Sequence, residues 1–270
     1  MKLQTTEINP AVPAMEVSHL TVKFPMRGGV FGKVQNYFTA VDDVSFTLCQ
    51  GKILSVVGES GCGKSTLVKS LVGLVPRVSG EYKLFGEKVE NGRILEKRVS
   101  DLVQMIFQDP FSSLNPRQTV TEILTAPLVA RGVKLADAET RAKELLDRVS
   151  LPVDSLQKFP HEFSGGQRQR LCIARSLMVN PKILLCDEVT SALDVSVQAQ
   201  ILHLLDDLRN ELGLSILFIS HDMQVVRALS DDVLVMYFGH VVERGVADSV
   251  LTNPQHEYTK KLLACVPTIR

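Results

Sequence analysis

The sequence predicts an α/β fold: a mostly parallel sheet covered by helices, with an antiparallel β edge subdomain and an inserted α-helical subdomain. Three observations predict it. Short apolar runs, KILSVV, KILLCDE and LSILFISH, recur between amphipathic stretches, the pattern of buried parallel strands joined by crossover helices. The first of these runs ends in a glycine-rich turn that opens a helix. A long segment, about 109–179, reads as mainly helical and is flanked by strands on both sides.

In chain order, residues 1–14 are polar and proline-bearing and read as a loose tail, leaving 15–270 as a single domain. MEVSHLTVKF and AVDDVSFTL alternate well enough to be strands of the antiparallel edge sheet. PMRGGVFGKVQNYFT between them carries three glycines and a proline and reads as a loop or a wide hairpin. KILSVV follows, then KSTLVKSLVGLV, with apolar residues at 67, 68, 71, 72 and 75 before Pro76 stops the helix. In ETRAKELLDRVS, Ala142, Leu145, Leu146 and Val149 fall on one helical face. KILLCDE is the next strand. The helix after it places Val197, Ile201, Leu204, Leu205, Leu208 and Leu212 on one side and is closed by Gly213. LSILFISH is another buried strand, VLVMYFGHVVERG a hairpin about Gly239, and PQHEYTKKLLACV a last helix. Hairpin and helix together span about 232–266.

Composition narrows the function classes. With 270 residues and 45% hydrophobic content there is material for a sizeable core. Thirty basic residues balance thirty acidic ones, so nothing advertises a nucleic-acid partner. The five cysteines, at 49, 62, 172, 186 and 265, are scattered without a CxxC pair, which points to a reducing compartment and no zinc site. No apolar run has the length of a spanning helix, and the start MKLQTTEINPAVPAMEV lacks the apolar core of a signal peptide, so any membrane contact is expected to be peripheral.

The chemistry concentrates in a few places. Gly58, Glu59, Ser60, Gly61, Cys62, Gly63, Lys64 and Ser65, followed by Thr66, form a complete G-x-x-x-x-G-K-[ST] phosphate loop between a strand and a helix. Its glycines let backbone N–H groups turn inward around phosphates, Lys64 reaches the β and γ oxygens, and the Ser65 hydroxyl suits Mg²⁺. Cys62 occupies a variable position of the loop and has no chemical role of its own. A second carboxylate partner for the metal is supplied by ILLCDE. Asp187 would hold Mg²⁺ through water, and Glu188 would polarise the attacking water as general base. His221 follows LSILFIS directly, where a side chain emerges at the C-terminal edge of the sheet beside the expected γ-phosphate. His19, His161, His203, His240 and His256 have no such placement. Gln108 ends a further short apolar run and would reach the metal and the water. Phe24 is the candidate for stacking on adenine, ahead of Phe31, Tyr37 and Phe38.

HEFSGGQRQRLCIARSL raises a different question. Ser164 and Gln167 make an S-x-x-Q capping box, which does not explain Gly165 and Gly166, each costing roughly 1 kcal/mol relative to alanine inside a helix. Two missing β-carbons let the backbone approach a bulky anion, and a helix N-terminus favours one. This is a candidate second phosphate site.

With these residues in hand, the chain resembles the ATP-binding subunit of ABC transporters over nearly its whole length, a P-loop NTPase core. The matching set is GESGCGKST as Walker A, Gln108 as the Q-loop, FSGGQ as the signature, ILLCDE as Walker B, SALD ending in Asp194 as the D-loop, and His221 as the switch histidine. The resemblance implies that Ser164, Gly165, Gly166 and Gln167 contact the γ-phosphate of ATP held by a second, related and non-identical ATPase subunit, two subunits sandwiching two nucleotides. It implies ATP and Mg²⁺ as cofactors and a peripheral place on the cytoplasmic face of the inner membrane. Two permease subunits meet the helical segment around 109–160, and an extracytoplasmic solute-binding protein delivers cargo. FQDPFSSLNPRQTV and NPQHEYTKKLLACVP resemble the oligopeptide, dipeptide and nickel uptake subfamily, with peptides favoured over nickel or a metal chelate as cargo. A soluble ABC-type ATPase acting on nucleic acid or ribosomes would bring coiled-coil insertions, zinc modules or a second ATPase unit, none of which the sequence contains. A subunit that senses nucleotide without turnover would not need both Glu188 and His221. Three positions depart from the pattern. Phe163 replaces a leucine, and Val189 replaces a proline that would stiffen the turn after Glu188. The chain stops at ACVPTIR, which gives no basis for an iron–sulfur cluster.

Overall fold

The computed structural model describes residues 12–28, 33–90 and 97–264. Phe31, Cys265 and most of the N-terminal tail lie outside the described residues. In chain order the elements begin β1 (Met15–Gly28), β2 (Lys33–Leu48), β3 (Ile53–Val57), α1 (Lys64–Leu71), β4 (Ser79–Leu84), β5 (Glu87–Lys88), α2 (Lys97–Leu102) and β6 (Val103–Ile106). There follow α3 (Pro110–Ser113), α4 (Val120–Val129), α5 (Leu135–Arg148), two short 3₁₀ turns, α6 (Gly165–Leu177), β7 (Ile183–Asp187) and α7 (Val195–Leu212). The chain closes with β8 (Ser215–Ile219), α8 (Met223–Leu229), β9 (Asp232–Tyr237), β10 (His240–Val246), α9 (Ala247–Thr252) and α10 (Glu257–Ala264). They fall into two compact units, Met1–Ser100 with Ser215–Arg270, and Asp101–Leu214.

The first unit carries an antiparallel sheet, ordered β2-β1-β4-β5, and a run of strands ordered β10-β9-β3-β8 in which β3 lies parallel to both β8 and β9. Every residue of β3 and β8 is buried, as continuous apolar strands with helices on both faces require. β1 and β2 run longer than their alternating cores suggest. Most of the segment expected to be loop is strand, and the ladder carries Phe24 opposite Phe38 and Pro25 opposite Tyr37. Proline and polar residues are tolerated there because both faces of that ribbon are exposed. α1 ends at Leu71, short of Pro76, because Gly73 adopts a left-handed φ of 71° and turns the chain. The β9–β10 turn is Phe238-Gly239, both left-handed (φ 44° and 84°), the geometry that matches strand twist in a two-residue hairpin.

In the second unit, β6 and β7 pair in parallel, with Ile106 beside Cys186. Thr119 caps α4 in a capping box with Glu122. The amphipathic face foreseen for α5 is buried through Ala138, Ala142, Leu145 and Leu146. α7 starts on an Asp194 cap and ends at Gly213 in the left-handed region (φ 63°).

Candidate functional site

The phosphate loop grows from the end of β3. Gly58 (φ 149°) and Gly63 (φ 108°) are required by close approach: a β-carbon on the first would lie 2.2 Å from the Met236 carbonyl oxygen, and on the second 2.2 Å from that of Ala40. Gly61, also left-handed (φ 82°), has open space beside it. The loop closes on itself through the Lys64 ammonium, which donates to the Gly58 and Glu59 carbonyls at 2.8 Å each. No side chain caps α1, whose N-terminus therefore presents its dipole to the loop. A curled backbone with no room for a β-carbon at Gly58 or Gly63, one buried ammonium and an uncapped helix start fit a polyphosphate. Cys62 is buried, and burial pushes its thiol up against the opposing pull of Lys64, so the neutral thiol adds no charge to the cradle.

His221 belongs to the same unit. β8 pairs with β3 so that Ile219 lies beside Val56, which brings His221 and Gly58 off the same edge, two residues past that pair. Asp222 then caps α8, accepting from the Gln224 N–H at 2.8 Å, so the exposed imidazole sits between a buried Ser220 and a fixed cap. Phe24 is partly exposed on the β1–β2 ribbon, opposite Phe38.

In the second unit β6 and β7 deliver Gln108 and Glu188 in register, each two residues past the Ile106–Cys186 pair. The Gln108 Nε2 donates to a Glu188 carboxylate oxygen at 3.0 Å and reaches Ser191 Oγ at 3.4 Å. Asp187 is buried, whereas Glu188 is half-buried and left-handed (φ 49°), a conformation that costs a residue with a β-carbon of order 1 kcal/mol and swings its side chain off the strand. The turn after it does not open for want of a proline. Val189 is buried, and the Glu188 carbonyl accepts from the Ser191 N–H (3.1 Å) and hydroxyl (3.0 Å). Ser191 is a site residue that residue-type reasoning passed over. Its only signal was its place at the head of SALD.

The helix start at 164–167 is a capping box: Ser164 Oγ accepts from the Gln167 N–H (3.3 Å) and Gln167 Oε1 from the Ser164 N–H (3.0 Å). The two glycines are not equivalent. A β-carbon on Gly166 would meet Val197 Cγ1 at 2.4 Å, whereas one on Gly165 would meet only Leu193 Cδ2, at an ordinary 3.7 Å. Gly166 thus has a packing reason, the close approach of α6 to the start of α7, and Gly165 has none within its own chain. Asp194 fixes that start by accepting from the Val197 N–H at 3.0 Å. This bond and that from Ser196 hold its carboxyl below the usual carboxylate range. Gly166→Ala is expected to lower stability by about 1–3 kcal/mol through overpacking, with most of the loss recovered in Gly166→Ala/Val197→Ala. Urea unfolding of the single and double variants reads this directly.

With the cradle, the Asp187–Glu188 strand end and the glycine-opened helix in place, the relationship can be stated. The chain belongs to the ABC transporter family, whose pattern it matches over residues 41–191. It is 47% identical over 260 residues to the glutathione import ATP-binding protein GsiA of Pectobacterium atrosepticum, covering 95% of this chain and 42% of that protein. With GsiA of Escherichia coli K12 the figures are 47% over 259 residues, 94% and 41%. The chain therefore spans well under half the length of these relatives. Among solved structures, cbiO1 of Clostridium perfringens, part of the ABC transporter complex cbiONQ, superposes with a TM-score of 0.77 at 25% identity, covering 90% of this chain and 92% of that one. A dimeric post-hydrolysis state of the ATP-binding cassette MJ0796 bound to ADP and Pi gives 0.74 at 26% identity, covering 86% and 98%. Among the described residues no helix is long and apolar enough to cross a membrane.

Proposed function

We propose that the chain is the ATP-hydrolysing subunit of an ABC importer for small peptides, peripheral on the cytoplasmic face of the inner membrane. The observation that carries this reading is the coexistence of a complete phosphate cradle at 58–65 with a second helix start, at Gly165, cleared of its own side chains. The cargo reading is supported by relatives named for import of glutathione, itself a short peptide, and these relatives favour peptides over nickel. Working partners would be a second, related ATPase subunit, two permeases and an extracytoplasmic binding protein. Phe111, Val129, Leu135 and Val153 of the helical segment are exposed apolar residues available for the permeases to cover.

In this reading Lys64 and the loop amides bind the β- and γ-phosphates, and Phe24 stacks on adenine. Ser65, and from the second unit Asp187 and Gln108, would be the ligands for Mg²⁺, which would neutralise charge building on the phosphate oxygens. The Glu188 carboxylate takes a proton from water as the water oxygen bonds to the γ-phosphorus and ADP departs; Gln108 fixes that carboxylate, and Ser191 fixes the Glu188 main-chain carbonyl. His221 orients the γ-phosphate. Ser164, Gly165, Gly166 and Gln167 close over the γ-phosphate of the partner's ATP, and Asp194 holds the adjoining turn.

Phosphate release from ATP by the assembled complex tests the proposal, with Gly165→Asp as the discriminating variant. The substituted chain is expected to fold, keep its own ATP affinity within about twofold, and abolish hydrolysis at the partner's site by placing a carboxylate where a phosphate must lie. Absence of ATP binding by the wild-type complex sinks the function. Equal loss of binding and turnover in Gly165→Asp sinks the shared site.

A further inference from the structure

The segment NPQHEYT, residues 253–259, carries no chemistry in the reading above, yet it is tied down at every step. Glu243 on β10 accepts from the Gln255 N–H at 2.7 Å and the His256 N–H at 3.0 Å. Burial pushes its carboxyl up but is outweighed by those two backbone donors, so the anion is held below the usual carboxylate range. The His256 Nδ1 accepts from the Tyr258 N–H at 3.1 Å, which sets the first turn of α10. The Tyr258 ring is buried against Val57, Val226, Val235 and Leu251 and leans on Tyr237 with ring centroids 4.1 Å apart. Its hydroxyl emerges at the phosphate loop and accepts from the Glu59 N–H at 2.9 Å.

That contact falls on a particular peptide group. The Gly58–Glu59 peptide presents its N–H to Tyr258 and its carbonyl to the Lys64 ammonium. One rigid plane is therefore held at one end by the C-terminal helix and at the other by the lysine that would meet the phosphates. The same loop is held a second time from the C-terminal hairpin, where the Gly239 N–H donates to the Cys62 carbonyl at 2.9 Å. Burial raises the Tyr258 phenol above its ordinary value, so it stays neutral, and an acceptor, at any pH the protein meets.

We propose that Tyr258 is a positioning residue for the nucleotide site: its hydroxyl orients the Gly58–Glu59 peptide, and through that peptide it sets where the Lys64 ammonium sits. The proposal rests on the ATP reading above. It differs from a purely structural role in one respect. Removing the hydroxyl alone weakens ligands that reach Lys64 and spares those that do not.

The test is direct binding of ATP and AMP to the full-length chain, wild type and Tyr258→Phe, with the steady-state KM and kcat of the assembled complex. The ring and its packing survive in the variant. Loss of one net hydrogen bond predicts an ATP Kd raised about three- to tenfold, an AMP Kd changed less than twofold, and a KM that rises while kcat holds. An unchanged ATP Kd overturns the proposal, as does an equal loss for both nucleotides, which would mark a general loosening of the fold. If wild type binds no ATP, the function reading fails first and this proposal with it, an outcome distinct from wild-type binding that Tyr258→Phe leaves intact. Should Tyr258→Phe not fold, Glu243→Gln carries the same comparison. It slackens the start of α10 without touching the ring, and an unchanged ratio of ATP to AMP affinity then overturns the proposal.

Discussion

Glu188→Gln is expected to lower steady-state phosphate release by about a hundred- to ten-thousandfold while leaving ATP affinity within a few-fold of wild type, because general-base catalysis has that range and the amide cannot take a proton from water. The geometry favours retention of the fold. Glutamine is the same size, and its side-chain oxygen can still accept from Gln108, as the carboxylate does at 3.0 Å. The strained backbone at 188 is held by Ser191 through the main-chain carbonyl, which the substitution leaves in place. Single-turnover measurements beside equilibrium binding separate the effects. Near wild-type turnover would remove Glu188 from the base role, and joint loss of binding would mark it as part of the scaffold.

The second large effect is expected at Gly63→Ala. The added methyl would have to occupy a point 2.2 Å from the Ala40 carbonyl oxygen, a main-chain atom of β2, and the residue would keep a φ of 108° that alanine rarely adopts. Backbone strain of about 1–3 kcal/mol adds to the steric term, so a loss of about 3 kcal/mol or more and no measurable ATP binding are expected. Gly61→Ala is the internal control. Its φ of 82° is similarly left-handed, but nothing lies within 4 Å of its β-carbon, so it should lose only about 1 kcal/mol. Urea midpoints for the two variants, measured side by side, check the difference. Equal midpoints would mean that close approach is not what fixes Gly63.

Features that depend on local backbone demands could be read from residue types alone. The left-handed turns of the phosphate loop require glycine, the buried strands β3, β7 and β8 require mainly apolar runs, and the start of α6 requires its serine and glutamine. What escaped was short or distant. β4 has only Tyr82 and Leu84 inside, too few for a period of two to stand out, and α9 is a six-residue helix. The bond from Glu59 to Tyr258 joins positions 199 apart in sequence, and no periodicity carries that information. Likewise the spelling Gly165-Gly166 shows that two β-carbons are missing. Only the position of Val197 shows that the second has a local cause and the first does not.

That difference between adjacent glycines has a genetic consequence. Under the shared site proposed above, a chain altered at Gly165 is expected to fold, hold its own nucleotide and enter assemblies, where it would disable a site belonging to an otherwise normal subunit, so Gly165→Asp should behave as a dominant allele when expressed beside the wild type. A chain altered at Gly166 is weakened before it meets any partner. Its loss should be recessive, masked by one good copy and relieved by a smaller residue at Val197.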